Sequence, residues 1–365
     1  MASISKRPDD RYRARYRDDA GKEHARHFRR KVDAQRWLDE VTASVVTGQY
    51  VAPNAGNITF REYAEGWRAV QVHRPATQEH VETNLRRHVY PAIGDRKLSS
   101  ILPSDIQTLV SRLDLAPSTV GVVHSIVSSV MRSAVRDRRI VANPCDGTKL
   151  PKVERSRVVP VTTEQVEALR EAMPDHLRAL VTFAAGTGLR QGECFGLTVD
   201  RLDMLRRTAT VDRQLVNVRG RGKVFGPPKT AASVRAVPLP QVVVDALAAH
   251  LAAYPPTGVG FVFTHLVEPI SRSTFGNLWR GPARAADVPL GQGLHALRHY
   301  YASLLIRHGE SVKTVQARLG HASATETLDT YSHLWPDSDD RTREAVDTVL
   351  GAQRVADSLR TNRGP

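Results

Sequence analysis

Cysteine is almost missing from this chain. Only 2 of 365 residues are cysteines, Cys145 and Cys194. Their wide separation matches neither a metal-binding nor a redox spacing, which predicts a reducing compartment. Long apolar runs are missing too: no stretch of about 18 such residues could span a bilayer, so no membrane partner is expected. The start, Met1-Ala-Ser-Ile-Ser-Lys-Arg-Pro, lacks the apolar segment of a secretory signal. Together these absences predict a cytoplasmic protein. Internal repeats and low-complexity tracts are absent as well. Lysine is scarce beside arginine, which makes a lysine in an ordered turn more informative than usual.

What the chain has is positive charge. Lys and Arg number 52 against 38 Asp and Glu, giving +14 at pH 7, and the excess is spread along the chain instead of gathered in one tail. Such a spread suits a protein that wraps a polyanion with several domains. Duplex nucleic acid is the first partner to consider, and an ordinary soluble basic protein is the plainer alternative. The length predicts two or three domains.

In the first segment, residues 1–56, Arg11, Arg13, Arg15 and Arg17 alternate with Tyr12, Ala14 and Tyr16, the period of a strand with one basic and one packing face. A turn at residues 18–21 leads to a second strand over 24–28, and Ala34, Trp37, Leu38, Val41 and Val45 follow at helical spacing. A small sheet backed by one helix is expected, its arginines facing either a DNA groove or water. Residues 54–57 have loop composition.

Residues 57–145 read as four helices. Phe60, Tyr63 and Trp67 mark one, and Val81, Leu85 and Val89 mark a second, halted by Tyr90-Pro91 and Gly94. Pro103 opens a third, and Pro117 opens a long fourth, closed by Asn143-Pro144. Arg86, Arg87, Arg132 and Arg136 are candidate phosphate contacts, with Arg138 and Arg139, although charge-rich helix faces are often merely solvated. Residues 146–160 read as an interdomain linker. Residues 161–365 read as a mostly helical domain, opened by Thr162 as an N-cap with Gln165 three residues on, and interrupted by strands near 209–211, 214–216 and 234–239. The expected fold class is multidomain and mainly α, with α+β parts.

Chemistry concentrates in the last domain. In Gly186-Thr-Gly188-Leu-Arg190-Gln-Gly-Glu193, Arg190 follows a glycine turn where a helix can resume. The run lacks the Lys-Ser/Thr of a phosphate loop and the further glycine of a dinucleotide fingerprint, so no cofactor is expected. Alone, Arg190 also reads as a structural partner of Glu193. Lys229 stands in a turn just before a strand: an ordinary surface lysine, or, inserted into a site, a general acid. His295 and His299 are four apart, but Ala296 stands where a zinc protease carries its glutamate and no downstream carboxylate stands out, so no metal is expected. Arg298 falls on nearly the same helix face as His295, and the pair could grip one phosphate. Gly320-His321 suits a helix end and its turn. Tyr331 adds a phenol. Two arginines, one lysine, two histidines and that oxygen suit in-line attack of Tyr331 on a DNA phosphorus.

These boxes, Gly188-Leu-Arg190-x-x-Glu193, Lys229, His295-x-Leu-Arg298-His299, Leu319-Gly320-His321 and Tyr331, resemble the tyrosine recombinase, or phage integrase, family in order and spacing. The resemblance implies Arg190 and Arg298 as phosphate clamps, and Lys229 as general acid toward the leaving 5′-oxygen. It implies His295 as proton acceptor and phosphate ligand, His321 as a further phosphate donor, and Tyr331 as the nucleophile that forms a 3′-phosphotyrosyl link. His299 is expected to pack and Glu193 to orient.

The same resemblance implies a small α+β arm-binding domain over 1–56, similar to those of actinobacterial phage and mobile-element integrases. It implies a four-helix, SAM-like core-binding domain over 57–145 and a mostly helical catalytic domain with a small antiparallel sheet over 161–365. The implied function is integration, and with accessory factors excision, of a phage or other mobile element. A homo-tetramer would act on double-stranded DNA at core and arm attachment sites, with an excisionase and a host DNA-bending protein as further partners. A type IB topoisomerase-like strand transferase and a non-catalytic DNA-binding regulator are the alternatives. The arm-like segment argues against the first and the intact catalytic set against the second. Residues 342–359, with Val346, Val349, Leu350, Val355 and Leu359, are amphipathic, and are expected to pack on their own domain or, by the resemblance, on a neighbouring protomer.

Overall fold

The structure, a computed structural model, describes residues 2–18, 21–47, 50–154, 157–218, 220–256, 258–335, 343–344 and 346–348. Residues 19 and 20 of the expected turn, Arg155 of the linker, and Val349, Leu350, Val355 and Leu359 of the amphipathic stretch lie outside the described residues. The chain divides into two units, Met1–Arg155 and Ser156–Pro365. The segments expected as 1–56 and 57–145 both fall within the first.

The first unit opens with an antiparallel meander of β1 (Ser3–Lys6), β2 (Tyr12–Arg17) and β3 (Glu23–Phe28), followed by α1 (Lys31–Val46). The strand period works as the alternation predicts: Ala14 and Tyr16 are buried with Ala34 and Leu38 of α1. Strand β1 has no sequence signature, because in Ser-Ile-Ser-Lys only Ile4 packs against that core. Arg13, Arg15 and Arg17 project from the other face, where all three approach Glu23 of β3, at 3.0, 3.7 and 3.9 Å. Arg11 is exposed just ahead of β2.

Four helices follow: α2 (Phe60–Ala69), α3 (Pro75–Asn84), α4 (Pro103–Arg112) and α5 (Pro117–Arg136). Proline opens three of them, where its missing N–H is no loss and its fixed φ suits the first turn. A Thr59–Glu62 capping box starts α2. Phe60, Leu85, Val89, Ile106, Val123, Val127 and Met131 form the shared core.

The expected stops hold only in part. Helix α3 is not halted at Tyr90-Pro91 but runs on as a π-helical stretch, Leu85–Gly94, with Pro91 inside it, and stops at Gly94, the second of the expected signals. In an α-helix the Pro91 ring would meet the carbonyl of Arg87, and the wider winding relieves that clash. Helix α5 ends at Arg136, ahead of Asn143-Pro144, because Arg138 takes a left-handed φ of 52° that the helix cannot continue through. Arg86, Arg87, Arg132 and Arg136 are all exposed.

In the second unit α6 (Thr163–Ala172) starts on the expected Thr162–Gln165 capping box, then come α7 (Asp175–Thr187) and α8 (Gln191–Phe195). Strands β4 (Leu202–Asp203), β5 (Thr208–Val211), β6 (Gln214–Val218), β7 (Gly222–Gly226) and β8 (Arg235–Pro238) form a three-stranded sheet, β4-β5-β8, and a separate β6-β7 hairpin, all antiparallel. After α9 (Gln241–Ala253), β9 (Thr264–His265) pairs with β10 (Glu268–Pro269). Helices α10 (Arg272–Ala285), α11 (His295–Arg307), α12 (Val312–Leu319) and α13 (Ala324–Tyr331) complete the unit. Its core gathers Leu180, Phe183, Leu247, Phe263, Phe275 and Leu297. A smaller cluster of Tyr301, Ile306, Val315, Leu319 and Tyr331 ties α11, α12 and α13 together. No helix among the described residues is long and apolar enough to cross a membrane.

Candidate active site

Two helix ends frame the site. Helix α7 ends on Gly188 (φ 63°) and α12 on Gly320 (φ 64°), both in the left-handed conformation that glycine adopts without steric penalty. Such C-termini leave carbonyl oxygens without intrahelical partners and carry partial negative charge. Two arginines satisfy them. Arg298 on α11 donates Nη1 to Gly188 O and Nη2 to Leu319 O, each at 2.8 Å. Arg190 donates Nη2 to Gly320 O at 3.0 Å and Nη1 to Ser233 Oγ at 3.1 Å. The three boxes that resemble the family are thus bolted together through backbone carbonyls.

Arg190 is held at the entrance of α8, where Glu193 accepts its backbone N–H at 3.0 Å and its Nη1 at 3.1 Å. Arg190 is thus the partner of Glu193 that its spacing suggests, and it also meets Ser233 and Gly320. Arg298 is 2% exposed. Burial first, and then the charge of Arg190, pulls its pKa down to about 10, so it stays charged at neutral pH.

Tyr331 closes α13 with 1% of its surface exposed. Its hydroxyl lies 2.8 Å from His299 Nδ1. Burial pushes the phenol up to about 12, against the opposing pull of Arg298. His321, just after Gly320, lies parallel to the Tyr331 ring at 6.4 Å and bonds Thr327 Oγ1 through Nδ1 at 2.8 Å. His295 and His299 meet edge-on at 4.7 Å. Burial, reinforced by Arg298, lowers His299 and His321 to about 4, so both imidazoles are neutral at pH 7. His295 is shifted the same way by desolvation and by His299, yet its side chain remains exposed, and water screens part of that effect.

Lys229 does not join this cluster. It is exposed in the segment between β7 and the turn Ala231–Ser233, with no hydrogen-bond or ion-pair partner among the described residues. Its neighbour Thr230 does reach the site, through Ser233 Oγ at 3.0 Å. Among the described residues no three His, Cys, Asp or Glu side chains converge as a metal site would require.

His299, expected to pack, lies edge-on to the Tyr331 ring at 5.6 Å and is also hydrogen-bonded to its hydroxyl. Sequence reasoning passed over Arg235 and Ser233. Arg235 carried a legible signal: on β8 it shares a face with buried Val237, two residues on, so it points inward. Ser233 carried none.

The sequence model of the Phage integrase family matches residues 154–337, and that of the Phage integrase central domain matches residues 60–150. The chain belongs to the phage integrase family. It is a site-specific tyrosine recombinase, an enzyme that cleaves and rejoins DNA. The phiRv2 prophage integrase of Mycobacterium tuberculosis is 28% identical over 319 residues, 84% of each chain. A tyrosine recombinase XerC-like protein of Caldanaerobacter subterraneus is 27% identical over 358 residues, 88% of this chain and 90% of its own. Among solved structures, the Tn1549 transposon integrase, in complex with a circular intermediate DNA, superposes with a TM-score of 0.69 at 22% identity, covering 80% of this chain and 99% of that one. That likeness bears on the fold, which is mainly helical with small antiparallel sheets.

Proposed function

We propose that this recombinase integrates the DNA of a phage or other mobile element through a 3′-phosphotyrosyl intermediate formed by Tyr331. Duplex DNA is the partner we infer; the Tn1549 integrase, similar in fold, is in complex with a circular intermediate DNA. In the step proposed, the Tyr331 oxygen bonds to phosphorus while the bond to the 5′-oxygen breaks. The phenol proton passes to His295 and the 5′-oxygen takes a proton from Lys229. Arg190, Arg298 and His321 hold the non-bridging oxygens, which gain charge in the transition state. A second 5′-hydroxyl reverses the step and joins new strands without an external energy source.

The observation that carries this reading is the Tyr331 hydroxyl bonded to His299, with the His321 ring parallel to its own and the Arg298 charge acting on it. Binding alone needs no phenol in such company. Because Tyr331 is buried, the step begins with release of its hydroxyl from His299. Exchange between two duplexes breaks four strands, each requiring one tyrosine, which is why we assign a homo-tetramer to the reaction. Residues 1–56 and 57–145 are the segments proposed to hold arm and core sites, 146–160 the linker and 161–365 the catalytic domain. An excisionase and a host bending protein would set direction, inside the cytoplasm where the element resides.

A nicked duplex bearing the core site, which traps the cleaved state, tests the proposal. The wild-type chain is expected to form a covalent protein–DNA adduct, and Tyr331→Phe to bind the same duplex without one. An adduct that persists in the variant would remove Tyr331 from the reaction.

A further inference from the structure

A carboxylate is an awkward guest in a phosphate-binding site. Glu193 is 3% exposed, and its negative charge beside Arg190 would cancel much of the charge that a phosphodiester is to meet. Two guanidinium groups attend it, however. From one side Arg190 gives its backbone N–H to Oε2 and its Nη1 to Oε1. From the other, Arg235 gives Nη2 to Oε2 at 2.9 Å and Nη1 to Oε1 at 3.4 Å.

The two arginines are not equivalent. The Arg235 side chain is 7% exposed against 20% for Arg190. Arg235 is further fixed by Nε to Arg318 O at 2.9 Å and Nη1 to Ser233 O at 2.8 Å. Gly320 makes room for it, since a Cβ there would lie 3.0 Å from its Nη1. Arg235 thus faces the protein. Arg190 faces the site: of its five N–H groups, Nε–H and one on Nη2 have no protein partner among the described residues. Two cations and one anion leave one positive charge, and the only guanidinium of the two that is open to a ligand is Arg190.

We propose that Arg235 is a positioning residue for strand cleavage: it neutralises Glu193, so that this carboxylate can hold Arg190 in place without cancelling the charge Arg190 offers the scissile phosphate. The inference rests on the proposed role of Arg190 as a phosphate clamp.

The experiment uses the full chain and single-turnover adduct formation on the nicked duplex. Arg235→Gln leaves the carboxylate opposed by Arg190 alone, and is expected to slow cleavage by about 10- to 100-fold. Glu193→Gln combined with Arg235→Gln removes both charges, leaves Arg190 its own, and is expected to regain at least about tenfold over Arg235→Gln. A scissile methylphosphonate, in which a methyl group replaces one non-bridging oxygen and its charge, is expected to shrink the defect of Arg235→Gln relative to wild type. If Arg235 is only a brace, the double variant is no faster than the single one and the defect is equal on both substrates; either result overturns the proposal. Should Arg235→Gln fail to fold, the double variant, with no unpaired buried charge, carries the test alone: an adduct rate below about 1% of wild type overturns it. The underlying reading fails separately, if wild type gives no adduct or Arg190→Gln cleaves as fast as wild type.

Discussion

His299 Nδ1 and the Tyr331 hydroxyl stand 2.8 Å apart, although 32 residues separate them in the chain. When Nδ1 accepts the hydrogen bond from the phenol, the neutral imidazole carries its own proton on Nε2. A tyrosine buried to this degree needs such a partner, since an unpaired buried hydroxyl costs about 1–3 kcal/mol. His299→Leu is therefore expected to lower stability by roughly that amount, while His299→Gln, which keeps an acceptor, loses less. Chemical denaturation measures both, and a wild-type midpoint for His299→Leu would mean that the buried hydroxyl finds another partner.

That hydrogen bond shows where sequence reading ends. The capping box at Thr162, the alternation of β2 and the spacing within each family-like box were legible because each is a local pattern: a spacing of two, three or four residues has a direct geometric meaning. The pairing of His299 with Tyr331 is non-local, as is the meeting of Arg235 with Glu193 across 42 positions. Proline at residue 91 shows the converse: a strong local signal for a stop is overridden by the packing of Leu85, Val89 and Ile93, and the chain stays helical as far as Gly94, the other expected stop.

Lys229 separates stability from chemistry. Exposed and unpartnered among the described residues, it should contribute little to folding, within about 0.5 kcal/mol. Lys229→Ala is expected to unfold at the wild-type midpoint yet cleave an ordinary 5′-oxygen about 100-fold or more slowly, the usual scale of a lost general acid. A 5′-thio leaving group, which needs little protonation, should recover most of that rate. Equal slowing of both substrates would remove the general-acid role.

The neutral imidazoles set a pH dependence. His299 and His321 sit near 4, below their ordinary 6.5, so on acidification the unfolded chain takes up protons before the folded one does. Their contribution to stability is whole above about pH 6.5 and is lost progressively as pH falls toward 4. Urea midpoints should hold level from pH 8 to about 6.5 and decline below it. A phosphate bound beside His321 raises its pKa, so DNA binding near pH 5 should take up protons. Calorimetry in buffers of different ionisation enthalpy measures that uptake, and zero uptake would place the phosphate away from His321.

Gly188 and Gly320 share a left-handed backbone but differ in what surrounds them. A Cβ at Gly188 would fall 2.4 Å from the Tyr301 ring, whereas at Gly320 it would meet Arg235 Nη1 at 3.0 Å and Ala232 O at 3.2 Å. Each substitution to alanine adds strain of about 1 kcal/mol or more. Gly188→Ala should lose more stability. Gly320→Ala should lose less stability but a larger share of cleavage, because the atom it displaces belongs to Arg235. Thermal unfolding and adduct rates compare them, and the reverse order would contradict the packing described.

The arginines of the first unit divide into two groups by what already holds them. Arg13, Arg15 and Arg17 surround Glu23, whereas Arg86, Arg87, Arg132 and Arg136 are exposed on the helical segment with no ion-pair partner among the described residues. Exposed ion pairs are weak, so DNA phosphates can displace Glu23, but its charge then opposes the phosphates that replace it. Glu23→Gln removes that opposition and should tighten binding to a duplex carrying an arm site. Removing Arg132 or Arg136 should instead flatten the dependence of log K on log salt by about one unit for each phosphate no longer neutralised. Fluorescence anisotropy across a salt series measures both. An unchanged slope for Arg132→Ala and Arg136→Ala would mean that these two merely face water, and an unchanged affinity for Glu23→Gln would say the same of the β2 arginines.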